Sequence, residues 1–299
     1  MSEAVASHSI AAPSRSAYAS SIAWQRAVPF VLAAPLLIYM LAFYALPVAS
    51  MLLRSVTEPD WTLSHYAAMP SDTVFLNVFW NTLYTAIIVT VGTLLLGYPL
   101  ALALVRAPRT TAALILIVIL LPFWTSVLVR SYAWMVLLGR HGLLNEALLA
   151  SGLIERPVKL LNTPLAVQIA MIHILLPYMI LPIANALRQI DPSLARAASG
   201  LGATPWRAFV QVILPLSMPG VAAGVLLVFV LSLGFYITPA MVGGPRDATL
   251  SMLIAQQVDQ LNWAYAACLS ATLLATSLII IAAFRRLPGI GNAFKMSAR

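Results

Sequence analysis

His8, His65, His141 and His173 are the only histidines of this chain, Cys268 is its single cysteine, and Lys159 and Lys295 are its only lysines. Nucleophilic catalysis needs a serine or cysteine with a base held beside it, and no Gly-x-Ser-x-Gly turn occurs. A metal centre needs clustered His, Asp, Glu or Cys, and no Asp or Glu falls in the middle of any apolar stretch. A phosphate-binding loop needs Gly-Lys followed by Ser or Thr, yet Lys159 follows Val158 and Lys295 follows Phe294. The sequence therefore predicts no enzyme, no metal site and no cofactor bound by this chain. Cys268 lies in an apolar run, the setting of a small core residue.

The elements that carry these residues are set by the solvent they must meet. Of 299 residues, 61% are hydrophobic and 9% charged, where a soluble domain carries about 25% charged residues. A membrane span needs roughly 20 mostly apolar residues. Six stretches qualify, approximately 27–53, 80–105, 112–138, 164–187, 216–241 and 262–284. The predicted fold is all-α, a polytopic membrane protein with about six transmembrane helices. Pro35, Pro122, Pro177 and Pro182 fall inside the stretches, which spanning helices tolerate, and they are expected to kink them. Residues 1–26, rich in Ala and Ser with no apolar period, read as a disordered tail. The first apolar run is longer than a secretory signal's core, so it reads as an uncleaved helix. The domain plan is a tail over 1–26, a six-helix membrane domain over 27–287 and a short tail over 288–299.

Orientation follows from Lys and Arg in the loops. With the N-terminus inside, eleven of the 17 basic residues fall on the inner side, whereas of the nine acids only Glu3 and Asp191 do. Both termini are expected in the cytoplasm. The formal net charge of +8 comes from basic residues standing singly between apolar runs, which marks topology and not nucleic-acid binding. Two outer loops are substantial. Residues 54–79 and the start of the next span hold Trp61, Tyr66 and Trp80, expected as interface anchors, and residues 139–163 repeat Leu143, Leu144, Ala147, Leu148 and Ser151 at helical spacing.

Several polar and aromatic residues in the spans are candidates for a solute pathway. Arg130 stands among Trp124, Tyr132 and Trp134 toward the outer end of the third span. An ionisable group at membrane depth marks function by default, and the alternative is an arginine snorkelling to the headgroups within an aromatic belt. Phe235, Tyr236 and Thr238 near the outer end of the fifth span either touch solute or pack helices. His173 reads as a hydrogen-bonded packing residue, and Gln168 and Asn185 as groups able to bond across helices.

The most patterned segment is 188–215, RQIDPSLARAASGLGATPWRAFVQVILP. Asp191-Pro192 is a helix start, an N-cap followed by proline at the first position. Leu194, Ala197, Ala198 and Leu201 then form one apolar face. Thr204-Pro205 is a second start after Gly200 and Gly202. Two short helices separated by a glycine turn are expected on the cytoplasmic surface. From the pattern alone, this is either a connector resting on lipid headgroups or a docking element.

This segment resembles the cytoplasmic signature loop, the EAA motif, of bacterial ABC-importer permeases. Ala197 and Ala198 match its two alanines, Gly202 follows after three residues, and Val212, Ile213, Leu214 and Pro215 come nine residues later. Arg196 stands where the family has Glu. The resemblance runs from about residue 25 to 290, and the strings LPFWTSVLVRSYAW (121–134) and SLGFYITPAMVGGP (232–245) are similar to subunits for spermidine and putrescine uptake. It implies a type I ABC-importer permease fold in a bacterial inner membrane and a coupling loop made by Arg196, Ala197, Ala198, Gly202, Pro205, Leu214 and Pro215. It also implies partners: two cytoplasmic ATPase subunits using ATP and Mg, a second permease that is a paralogue, and a periplasmic binding protein. The loop's short helix would sit in a groove of an ATPase subunit, and ATP-driven closure would turn the pathway outward. A polyamine is a cation, yet the spans hold no acid; its selection would rest on aromatic faces, loop acids, the partner permease or the binding protein. Another small solute is the alternative. A secondary transporter would show paired repeats and intramembrane charge pairs, which the sequence does not.

Overall fold

In a computed structural model of the chain, the structure describes residue 28 and residues 32–58 and 61–286. The tails predicted over 1–26 and 288–299 lie outside the described residues, as does the start of the first span. The chain divides into two units, residues 1–53 and 54–299.

Among the described residues the secondary structure is helical throughout. The long elements are α1 (Leu32–Thr57), α3 (Thr73–Arg106), α7 (Pro164–Arg188), α9 (Pro205–Leu233) and α12 (Trp263–Arg286). Between them lie α2 (Ser64–Ala68), α4 (Arg109–Leu120), α5 (Val127–Leu137), α6 (Leu143–Ala150), α8 (Pro192–Gly200), α10 (Ile237–Val242) and α11 (Leu250–Asp259). Among the described residues five helices are long and apolar enough to cross a membrane, and the pair α4–α5 makes a sixth span if counted as one.

Two predicted spans are broken. The third, expected over 112–138, bends by 101° between Trp124 and Val127. Pro122 cannot donate a backbone hydrogen bond and starts a 3₁₀ turn over Pro122–Trp124, and Ser126 then caps α5 by accepting from the Leu128 N–H. The fifth, expected over 216–241, already begins at Pro205, stops at Leu233 and resumes as α10. The second short helix predicted for the loop is thus continuous with the span behind it. A π turn over Phe209–Ile213 joins the two, with the Leu214 N–H reaching back to the Phe209 carbonyl. The proline at 215 lacks an N–H, and its ring would meet the carbonyl of Gln211; the wider turn moves that carbonyl aside. The same device appears in α1, where a π turn over Leu41–Ala45 precedes Pro47.

The second span starts seven residues earlier than expected, because Asp72 caps it by accepting from the Val74 and Phe75 N–H groups at 2.8 and 3.3 Å. Of the three aromatics expected at the interface, Trp61 and Trp80 are exposed, but Tyr66 turns inward and donates to Ser55 Oγ at 2.9 Å. The helix expected within 139–163 is α6. It buries Asn145, whose amide bridges the Gly139 carbonyl and both backbone groups of Val158, whereas Leu143 and Leu144 stay exposed.

The centre of the second unit is the packing of α3, α7 and α9 on one another. Val89, Met171, Met179, Ile180 and Val228 are fully enclosed there. Small residues let these backbones approach: a Cβ at Gly220 would stand 2.6 Å from the Pro182 carbonyl oxygen and 2.5 Å from Ala186 Cβ. Tyr98 and Ser217 join α3 to α9 through their hydroxyls at 2.9 Å. A second cluster, around Met69, Phe75, Leu250, Cys268 and Leu269, holds α11 and α12. Cys268 is buried in it, as its apolar setting predicts.

Candidate functional site

At one end of the bundle, α8 stands out from the spans. Asp191 caps it through the Ser193 N–H at 2.8 Å, and Pro192 occupies the first position. The N–H and side chain of Ser193 hold the Asp191 carboxyl below its ordinary value, with Arg196 adding a smaller charge attraction. The helix ends in a Schellman turn: Ala203 N–H bonds to the Ala198 carbonyl at 3.0 Å and Gly202 N–H to the Ser199 carbonyl at 3.0 Å. Gly202 takes φ +84°, the left-handed region that disfavours any side chain, and no atom lies within 4 Å of where its Cβ would be. Thr204 then caps α9 through Arg207 N–H.

This loop shows apolar side chains to the outside. Leu201 is 90% exposed and Trp206 71%, with Leu194 also exposed. Of the apolar face predicted for α8, only Ala198 is half-buried, where the helix meets the start of α9. Ala197 and Pro205 are exposed as well, whereas Leu214, Pro215 and the π turn lead from the loop into α9. A docking face joined without a flexible link to a spanning helix is the arrangement a mechanical coupler needs.

The pathway candidates separate into two groups. Thr238 on α10 is buried and shares a hydrogen bond with Ser131 on α5 at 2.7 Å, so in this conformation it joins the two helices. Phe235 packs against the central cluster, and its carbonyl accepts from Ser251 at 2.7 Å. Trp124, Tyr132 and Tyr236 are exposed. Trp134 donates its indole N–H to Nδ1 of His173 at 3.2 Å, which leaves the ring proton of a neutral His173 on Nε2. His173 is therefore the hydrogen-bonded residue expected, while Gln168 and Asn185 make no hydrogen bond across helices among the described residues. The polar links between elements use Tyr98, Ser131, Thr82 and Asn81 instead. These are small or terminal groups without a sequence signature apart from their place in apolar runs.

Arg130, four residues into α5, has its Nε buried without a hydrogen-bond partner among the described residues. It stands one helical turn before Trp134, whose indole bonds to His173. Beside this group a cavity of about 380 Å³ opens between α3, α4 and α7, lined by Leu114, Val118, Pro122, His173, Leu176 and Pro177 among others. The bend at Pro122 creates it by turning α5 away from the line of α4.

The family model of binding-protein-dependent transport system inner membrane components matches residues 13–286. This chain belongs to that family. The family's chains are multi-pass components of an inner membrane, in keeping with the apolar helices described above. The chain is 36% identical over 220 residues, 73% of its length and 76% of the relative's, to the spermidine/putrescine transport system permease protein PotB of Salmonella typhimurium. It is 34% identical over 245 residues to the PotB of Haemophilus influenzae, covering 82% of this chain and 81% of that one. In fold it matches a bacterial ABC transporter that imports the acidic polysaccharide alginate, with a TM-score of 0.72 over 89% of this chain and 99% of that one, at 18% identity. As a family member it is a transport subunit; the Gly202 loop and the α4–α5 bend are two features of its own geometry that a transport role must explain.

Proposed function

We propose that this chain is one of two permease subunits that form the pathway of an ATP-driven importer, and that its solute is a small cationic amine of the polyamine class. The observation that carries the coupling role is the loop of α8: exposed apolar side chains, a Schellman turn at Gly202, and α9, which runs from Pro205 in the loop to Leu233 without a break. In this reading, α8 docks in a groove of a cytoplasmic ATPase subunit, with Leu194 and Leu201 facing that groove. ATP and Mg belong to the ATPase pair. A periplasmic binding protein delivers solute, the partner permease is a paralogue, and both termini lie in the cytoplasm. ATP-driven closure moves the loop, and α9 carries the displacement to the break at Gly234–Tyr236 as rigid-body alternating access.

The amine assignment is supported by identity to permeases named for spermidine and putrescine over most of the chain. Exposed Trp124, Tyr132 and Tyr236 offer aromatic faces for an ammonium group. The test is assembly and uptake. The tagged chain should co-purify with an ABC ATPase and a second permease. The complex, reconstituted with its binding protein, should accumulate labelled putrescine or spermidine. Uptake of a neutral sugar or an anion with amines ignored would overturn the solute; absence of a co-purified ATPase would overturn the class.

A further inference from the structure

Between the docking loop and the membrane, α9 passes through its softest stretch. The π turn over Phe209–Ile213 takes the backbone out of the α register. Just beyond it, Pro215 and Pro219 lack the N–H groups that would bind the carbonyls four residues back. A displacement applied at Pro205 would be absorbed there unless the two sides of the turn were held in fixed relation.

Side chains supply that hold. Trp206, exposed in the loop, stacks on Phe209 with ring centroids 5.6 Å apart and planes at 30°. Phe209, the first residue of the π turn, meets Tyr98 of α3 edge to face, with centroids 5.9 Å apart and planes at 77°. The Tyr98 hydroxyl stands 2.9 Å from Oγ of Ser217, a fully buried residue one helical turn past Ile213. Ser217 gives its one proton to the Leu214 carbonyl at 2.9 Å, so Tyr98 is the donor of the bond they share. One residue of α3 thus grips α9 on both sides of the π turn, by its ring before it and by its hydroxyl after it. Tyr98 is itself followed by Pro99 inside α3, so the grip joins the proline-loosened stretches of the two helices.

We propose that Tyr98 is a positioning residue for coupling: it braces the π turn, so that movement of the docking loop reaches α3 and α9 together and is not taken up at Phe209–Ile213. The inference rests on the ATPase-driven reading above and adds the side chains that carry the movement. The turn is the two-state element such a claim requires. In the observed state the Leu214 N–H bonds to the Phe209 carbonyl; in the α register it would bond to that of Val210. The brace holds Phe209 and Ser217 at the spacing of the first. A rigid link works in both directions, so it also carries the effect of a docked binding protein back to the ATPase.

The test separates a brace from ordinary packing, because a brace fails when either end is cut. Tyr98→Phe keeps the ring on Phe209 and loses the bond to Ser217; Phe209→Leu keeps that bond and loses the ring contact. Ser217→Ala cuts the same end as Tyr98→Phe and serves as its check. Each variant is assembled with its ATPase, second permease and binding protein in lipid nanodiscs, the binding protein carrying the solute with which it purifies. Hydrogen exchange of the amides at 210–214 should quicken about tenfold in each single variant. Stimulation of ATP hydrolysis by the binding protein should fall about fivefold, a change in coupling within the usual range. ATPase co-purification should be unchanged, since neither ring lies on the face of α8. The double variant Tyr98→Phe/Phe209→Leu should be no worse than the worse single one. Losses that multiply, to about a hundredfold in exchange, are those of independent packing contacts and overturn the brace. Unchanged exchange overturns it as well. Faster exchange with full stimulation shows that the turn is braced but carries no coupling, and this too defeats the proposal while the importer reading stands. If the wild type retains no ATPase, or the binding protein does not stimulate it, the importer reading fails and takes the coupling role of Tyr98 with it.

Discussion

The hydroxyls of Ser131 and Thr238 lie 2.7 Å apart and join the short helices that follow the two broken spans. Both residues are buried, Ser131 and Thr238 at 0% exposure. The bond ties α5 to α10, so the bend after α4 and the break after α9 form one assembly. Ser131→Ala or Thr238→Val leaves a buried hydroxyl without its partner, a loss of about 1–3 kcal/mol. The double variant should cost about 0.6 kcal/mol less than the sum of the two single ones, the coupling typical of hydrogen bonds between membrane helices. Thermal unfolding of the purified complex measures the cycle. Strict additivity would show that the two hydroxyls do not cooperate.

Asp72 links the start of α3 to α12, accepting from the Val74 and Phe75 N–H groups through Oδ1 and from the Tyr265 hydroxyl through Oδ2 at 3.0 Å. Partial burial raises its pKa, but the bonds from Phe75, Tyr265 and Val74 outweigh this and hold it below the ordinary 3.8. A depressed folded pKa means that the contribution is complete above the unfolded value and disappears as pH falls through the folded one. Stability should therefore decline below about pH 4. Asp72→Asn keeps a capping oxygen, and Asp72→Ala loses about 1 kcal/mol of cap. Unfolding midpoints of the three proteins at pH 3 and pH 7 check this: the difference between wild type and Asp72→Asn should shrink at the lower pH.

Gly220 and Gly200 should respond in opposite directions to alanine. At Gly220 the new methyl meets the Pro182 carbonyl and Ala186 within 2.6 Å, so α7 and α9 must separate. Overpacking of this kind costs about 1–3 kcal/mol. At Gly200, within α8, nothing lies within 4 Å, and alanine should gain about 0.5–1 kcal/mol of helix stability. Membrane abundance and thermal stability of the two variants decide it. A stable Gly220→Ala protein would mean the helices have slack that the close approach denies.

Gly202→Val should leave the protein in the membrane and abolish uptake. The φ of +84° is unfavourable for a β-branched residue, at a cost of about 1–3 kcal/mol. The open space around the Cβ excludes a collision within this chain. Relaxing that turn would move Leu201 and the face of α8. Arg196→Glu should be mild by comparison, because an exposed charge pair is worth about 0–1 kcal/mol. Abundance, ATPase co-purification and uptake are the three readouts; normal uptake by Gly202→Val would remove the mechanical role of the turn.

A reporter active only in the periplasm, fused after Met296, should be silent. The expectation rests on the eleven basic residues assigned to the inner side. Strong activity would invert the topology.

What the sequence by itself determined is the solvent, the spans and the caps. A chain 61% hydrophobic has to bury itself in lipid. Asp191-Pro192 and Thr204-Pro205 start helices wherever they stand, because capping and the fixed φ of proline are local. A glycine turn between them was legible too, and the loop spacing pointed to the family; that Gly202 takes φ +84° is seen only in the structure. Tertiary structure decided what depends on neighbours. A run such as 112–138 has no composition that separates one straight span from a 101° bend, since Pro177 and Pro182 stay inside α7 while Pro122 ends α4. The choice rests on whether other helices cover the freed carbonyls. Thr238 and Tyr66 are aligned with pathway and interface by type, yet packing turned both inward onto hydroxyl partners. Arg130 was visible as a charge in an apolar run, but its unpartnered Nε and the bond that Trp134, one turn on, makes to His173 are properties of how α5 folds back against α7.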